Sequence, residues 1–267
     1  YGDLTDASSL WRVVHDYMPD EFYNLGAQSH VGVSFQAPES TTQINATGVL
    51  NCLEAIRNVF PNTKFYQAST SEMFGDNTNA PQSEETVLSP VSPYACAKVT
   101  AHNLVINYRK AYGLFACSGI LFNHESELRP ADFVTQKIVK NLINIKAKKI
   151  SNLVLGNLEI VRDWGYAAEY MEAVKLITES HIDDDFVIAT GVPTSLKSFI
   201  EIVMQILEIK IPFDELVKVD SKLFRTFDAP ILYGNPKKIY DTMGWKAKVK
   251  IESLIEKMIN FNLRELN

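Results

Sequence analysis

A basic excess is missing from this sequence. Lysine and arginine total 26 against 32 aspartates and glutamates, a formal net charge of -6. A nucleic-acid surface needs cations to neutralise phosphates, so no nucleic-acid partner is expected. Cysteine is scarce: Cys52, Cys96 and Cys117, an odd count with no CxxC pair. That excludes a disulfide framework and a zinc cluster, and no metal site is expected. Each cysteine lies in an apolar segment, where a reduced thiol packed in a core is the expectation. There is no apolar run of 18 residues and no signal-peptide pattern, so no membrane partner and a cytoplasmic location are expected. Repeats and low-complexity tracts are lacking too. Hydrophobic residues make up 46% of the 267 positions, enough to build a large core.

Apolar runs alternate with helix-period segments along the whole chain. Strands are predicted at 22–25, 64–68, 114–121, 152–155, 185–189 and 210–213. Helices are predicted at 9–15, behind a cap at Thr5 or Asp6, and at 43–60, where Ile44, Val49, Leu50, Leu53 and Ile56 share a face. Ser92 caps the next helix, Pro93 occupies its first position and Gly113 closes it. Further helices are predicted at 132–146, 167–179, 195–207, 236–243 and 251–263. The strands read as continuous apolar runs, which is the pattern of a parallel sheet covered on both faces. The fold class is therefore α/β with a doubly wound parallel sheet. No linker divides the chain, so a second domain would have to be built from insertions.

Open α/β sheets bind ligands beyond the carboxyl ends of their strands. Three polar, small-residue stretches follow predicted strands: NLGAQSH at 24–30, STSE at 69–72 and FNHES at 122–126. Glu72 is either a solvated loop carboxylate or an acid–base group at the mouth of the sheet. Tyr94 and Lys98 stand at i and i+4, one turn apart on a helix face. An ammonium near a phenol favours the phenolate, which would make Tyr94 a usable base. Tyr233 and Lys237 repeat the spacing, but in a YGNPK turn that cannot hold them on a helix face.

STSE, SPYACAK at 92–98, ILFNHES at 120–126, RDWGYA at 162–167 and FVIATG at 186–191 resemble the extended short-chain dehydrogenase/reductases, and within them the GDP-mannose 4,6-dehydratase family. The likeness runs from Gly2 to about Asn262. It implies a Rossmann-type sheet with a smaller substrate-binding domain formed by insertions and the C-terminal part. The NADP-binding domain would comprise 1–128 and 165–190, and the nucleotide-sugar domain 129–164 and 191–267. The implied catalytic set is Thr70, Glu72, Tyr94 and Lys98. Implied cofactor contacts are Asp3, Leu4, Leu25, Gly26, Ala27, Gln28, Ser29, Tyr94, Lys98, His124 and Arg129. Implied contacts to a GDP-sugar are Ser71, Asn123, Lys137, Gly156, Arg162, Arg225 and Asp228. His124 can equally be a core histidine bonded to backbone, and Arg225 a surface ion pair. Trp164 and Trp245 read as packing.

The implied reaction is the conversion of GDP-mannose to a 4-keto-6-deoxy sugar, in a homodimer or homotetramer. GDP-manno-heptose as substrate, an epimerase or reductase of the same fold, and an inactive fragment are the alternatives. The family's glycine-rich phosphate loop is missing from this sequence, about two strand–helix units of roughly 30 residues each. The sequence alone is therefore expected to bind cofactor poorly and to turn over only with those residues added. Leu128 and Gln136 stand where the family carries arginine, and Ser40 where it carries tyrosine. These departures leave the four catalytic positions intact.

Overall fold

The computed structural model describes residues 1–77, 79–224 and 227–264. Helix α1 (Ala7–Tyr17) begins at Asp6, whose carboxylate accepts from the Ser8 and Ser9 amides. Asp6 rather than Thr5 is thus the cap. Strand β1 (Glu21–Asn24) follows, then the short helices α2 (Val31–Ser34) and α3 (Pro38–Thr42). A π-helical segment, Gln43–Thr47, joins α3 to α4 (Gly48–Val59). The helix predicted over 43–60 therefore starts earlier, at a proline suited to a first turn. The wide turn leaves Asn45 buried and bonded to the loop after β1: Asn45 Oδ1 accepts from the Gln28 amide, and Asn45 Nδ2 donates to the Gln28 carbonyl, both at 2.9 Å.

Strand β2 (Lys64–Thr70) runs two residues past the predicted stretch before a 3-10 turn at Ser71–Phe74. Helix α5 (Pro93–Tyr112) is capped by the Ser92 hydroxyl and closed by Gly113 at φ 66°, a left-handed conformation that glycine adopts without strain. Strand β3 (Ala116–Leu121) is buried throughout, and β4 (Asn123–Glu125) continues its direction. There follow α6 (Val134–Lys146), β5 (Leu153–Leu155), β6 (Val161–Arg162), β7 (Trp164–Tyr166), α7 (Ala167–Glu179) and β8 (Asp185–Ile188). The remainder is β9 (Thr194–Ser195), α8 (Leu196–Ile206), α9 (Phe213–Leu216), β10 (Val217–Val219), β11 (Ile231–Leu232), α10 (Lys237–Met243) and α11 (Ile251–Arg264).

The strand predicted at 210–213 does not form. Pro212 has no N–H for a ladder and instead precedes α9, so pairing waits for β10. Strands β4, β6, β7, β9 and β11 escaped the sequence reading because two or three residues carry no period.

The main sheet has the order β1–β2–β3–β8, all parallel. Alternate residues of β2 face opposite layers, as the pleat requires. Phe65 packs with Leu10, Leu53 and Val105 from α1, α4 and α5, while Tyr66 packs with Tyr170 and Ile177 from α7. Gly119 on β3 lets the Tyr66 ring cross the sheet; a Cβ there would sit 2.1 Å from the phenol oxygen. A second core gathers α6, α8 and α11 around Leu142, Phe199 and Ile255. Its small strands pair β5 with β10, and β6 with both β9 and β11. Ile239 and Trp245, late in the chain, pack into the core of the main sheet.

Cys52 and Cys117 are buried as expected, but Cys96 is exposed. It lies on the outward face of α5, two residues from Tyr94, where helical geometry turns it away from the sheet. No helix among the described residues is long and apolar enough to cross a membrane.

Candidate active site

Because the four sheet strands are parallel, their carboxyl ends share one edge. A cavity of about 1050 Å³ lies between that edge and the second core. STSE, the start of α5 and the residues after β3 all reach it, so Thr70, Ser71, Glu72, Tyr94, Lys98, Asn123 and His124 line one space. From the opposite side come Lys137 of α6, Gly156, Arg162 of β6 and Asp228. The two halves of the cleft are supplied by different cores.

Thr70 is the last residue of β2, and its hydroxyl accepts from the Glu72 amide at 3.2 Å, which fixes the turn carrying the carboxylate. Tyr94 is buried one residue inside α5. Burial pushes its phenol up to about 12; the Thr70 hydroxyl acts against that and the Glu72 charge adds to it. Thr70 and Glu72 line the same cavity as the phenol. Lys98 is buried one turn further, and burial brings its ammonium down to about 8.

The expected help from Lys98 to the Tyr94 phenolate is not what this geometry gives. Lys98 Nζ donates to the Ala68 carbonyl at 3.0 Å and stands 5.9 Å from the centre of the Tyr94 ring. Desolvation dominates, so the phenol is held protonated until a ligand changes its surroundings.

The cofactor-side expectations divide. Leu25, Ala27 and Ser29 line the cavity, as do His124 and Arg129. Asp3, Leu4, Gly26 and Gln28 lie outside its wall. Asp3 is exposed and accepts from Thr5. Leu4 packs onto Gly26 and Gly48, where added Cβ atoms would meet it at 2.9 and 2.8 Å. The Gln28 amide donates to Asn45 Oδ1 and its side chain to the Thr41 hydroxyl, which hold the loop after β1. His124 Nδ1 bonds the Phe122 carbonyl at 2.9 Å, as the core-histidine reading expects, while its ring lines the cavity; burial holds it below the usual histidine range.

On the far wall, Arg162 is 3% exposed and forks between Asp228 at 2.6 Å and the Ala229 carbonyl at 2.8 Å. Asn123 Oδ1 is a buried acceptor with no hydrogen-bond partner among the described residues. Gly156 contributes backbone only; a Cβ there would lie 2.7 Å from the Leu223 carbonyl. Arg225 falls outside the described residues.

Several site residues escaped sequence reasoning. Glu125 lines the cavity, pairs with Arg129 at 3.1 Å, and is raised to about 7 by burial. Arg129 in turn stacks 3.5 Å over the Phe133 ring. Trp164 packs on Phe199 as expected but also forms part of the cavity wall. Asp163 accepts from the Thr190 amide and hydroxyl and from the Gly191 and Gly234 amides, joining three chain segments beneath Arg162. A carboxylate inside the apolar RDWGYA stretch was the one available signal.

Comparison with known proteins gives a consistent result. The sequence model of the family described as GDP-mannose 4,6 dehydratase matches residues 1–258. A GDP-mannose 4,6-dehydratase from Vibrio cholerae is 41% identical over 291 residues, covering 99% of this chain and 78% of its own. GDP-mannose 4,6 dehydratase 2 from Arabidopsis thaliana is 45% identical over 267 residues, covering 98% and 71%. Among solved structures, RMD from Pseudomonas aeruginosa complexed with NADPH superposes with a TM-score of 0.89 at 22% identity, covering 99% and 88%; at that identity the likeness speaks for the fold.

Proposed function

The chain belongs to the GDP-mannose 4,6-dehydratase family, and from that premise we propose that its cavity converts GDP-mannose to GDP-4-keto-6-deoxymannose with NADP. The observation that carries the reading is the convergence of Thr70, Glu72, Tyr94 and Lys98 on one cavity whose opposite wall offers Lys137 and Arg162.

The residues present fit the nicotinamide end of a dinucleotide. Lys98 has three N–H groups and gives one to Ala68, leaving donors for ribose hydroxyls. Leu25, Ala27 and Ser29 offer a small-residue wall along the end of β1, and His124 and Arg129 a second wall. The bound nicotinamide would supply the redox chemistry, accepting hydride from sugar C4 and giving it back at C6. Its choice as NADP is supported by the NADPH-bound structural neighbour and by family membership.

The chain's own residues handle the protons. Thr70 bonds the sugar 4-hydroxyl and aligns it with Tyr94, which, ionised once bound ligand has changed its surroundings, removes the hydroxyl proton. The resulting 4-ketone acidifies the C5 hydrogen. Glu72 takes that proton and delivers it to the 6-hydroxyl, which leaves as water. Hydride returned at C6 would leave C5 as an enolate carbon, and the proton that Tyr94 took from the 4-hydroxyl completes it, so no net redox change remains. Glu72 is what separates this reaction from a simple C4 epimerisation, because elimination requires a base for a C–H bond. Across the cleft, Arg162 and Lys137 face the diphosphate, and the unpartnered Asn123 Oδ1 accepts from a ligand hydroxyl or amide. The assembly is proposed to be a cytoplasmic homodimer or homotetramer, with the cofactor on residues 1–128 and 165–190.

The test is incubation of the full-length protein with NADP+ and GDP-mannose, following the sugar by NMR and the nicotinamide by absorbance. A 4-keto-6-deoxy product without accumulation of reduced nicotinamide is expected. A C4-epimerised product, or GDP-mannose recovered unchanged, overturns the reading.

A further inference from the structure

Behind the cavity wall, β2 and α5 are joined by a buried side-chain bond: Ser69 Oγ lies 3.0 Å from His102 Nδ1. His102 is 6% exposed and Ser69 3%. The bond sits one helical turn beyond Lys98, whose Nζ holds the Ala68 carbonyl. Two consecutive residues at the end of β2 are thereby tied to α5. The next residue is Thr70, whose hydroxyl caps the turn that carries Glu72.

Charged groups face the imidazole from its other side. His102 Nε2 is 4.0 Å from Asp185 Oδ2 on β8, and Asp185 is held by Arg109 Nη2 at 2.7 Å. Lys238 of α10 donates to the Asp185 carbonyl, and Asp184 pairs with both Arg109 and Lys238. With the proton on Nε2, on the side of the carboxylate, Nδ1 would accept from the Ser69 hydroxyl. Burial lowers the His102 pKa, Asp185 opposes this and Arg109 adds to it, so the ring is kept neutral.

We infer that His102 is a positioning residue for the proposed dehydration: through Ser69 it sets the distance between the strand end bearing Thr70 and Glu72 and the helix bearing Tyr94 and Lys98. The chemical part of this rests on the reading under Proposed function. The two proton-handling groups belong to different elements yet must address adjacent atoms of one sugar ring. Such constellations must be held within about 0.5 Å, and a 1 Å slip costs up to about a hundredfold in rate.

Four variants test it: Ser69→Ala, His102→Leu, the double variant and His102→Asn, whose side-chain oxygen stands near the Nδ1 position. Ser69→Ala and His102→Leu are each expected to lower kcat roughly ten- to hundredfold, with KM for the GDP-sugar within about twofold. The double variant should lose no more than either single, and His102→Asn should stay close to wild type. Backbone amide exchange over 70–74 should quicken in the first three and not in His102→Asn. Losses that multiply in the double variant, or an Asn variant as slow as Leu, overturn the inference. If wild-type protein forms no keto product, the dehydratase reading fails on its own. Amide exchange then still decides the tie, and unchanged exchange in Ser69→Ala and His102→Leu disproves it.

Discussion

Lys98 Nζ is anchored on the Ala68 carbonyl at 3.0 Å rather than on the Tyr94 hydroxyl. That carbonyl also accepts from Gln67 Nε2 at 3.0 Å, so it keeps a partner when the lysine is removed. The ammonium is consequently a group held against its own solvation, at the expense of stability.

Lys98→Met should therefore stabilise the protein at neutral pH while abolishing turnover. The folded-state pKa is lowered from 10.5 to about 8. Between those values the unfolded chain holds a proton that the folded chain has released, so stability rises with pH across the window. The variant should lose that rise and gain about 1–3 kcal/mol at pH near 7, read by urea denaturation at several pH values. A variant less stable than wild type at neutral pH contradicts the burial argument.

Glu72→Gln should separate the half-reactions. In the proposed reaction, oxidation at C4 uses Tyr94 and Thr70, which the substitution leaves in place, whereas water elimination loses its base. Overall turnover should fall by about 10²–10⁴. Reduced nicotinamide and a 4-keto sugar that retains its 6-hydroxyl should build up on the enzyme, visible in a single-turnover experiment. Product formation at the wild-type rate would remove Glu72 from the mechanism.

Glu125 gives the opposite pH signature to Lys98. Its carboxyl is raised from 4.5 to about 7, chiefly by burial, with Arg129 opposing. A raised acid contributes stability that is complete below its unfolded pKa and lost as pH rises through the folded value. Wild type should thus decline by about 1–3 kcal/mol relative to Glu125→Gln between pH 4.5 and 8. Parallel stability curves for the two proteins would show that Arg129 already neutralises the burial cost.

Much of the cavity wall on the main-sheet side was legible because its signals are local. Ser92, Pro93 and Gly113 mark α5, and Tyr94 and Lys98 share its face through simple helical spacing. The polar residues after β1, β2 and β3 share an edge because the sheet is parallel. The rest was hidden in long-range contacts. The acceptor for Lys98 lies thirty positions earlier in the chain. The four donors to Asp163 come from 190, 191 and 234. The strands that carry Arg162 and its neighbours are two or three residues long, below the length at which hydropathy shows a period. Asp3 and Leu4 were expected at the cofactor, yet Leu4 fills the space that Gly26 and Gly48 leave open, a contact set by shape rather than pattern.

Strand β8 closes the main sheet only after the chain has left it at β3, built α6 and the first small strands, and returned through α7. The route then departs again for α8 and comes back with α10 against β8 before ending in α11. The two walls of the cavity are consequently woven together by repeated crossings instead of meeting at a single hinge. A protease nick in any one crossing would leave the others intact, and breathing of the cleft must bend them all in concert.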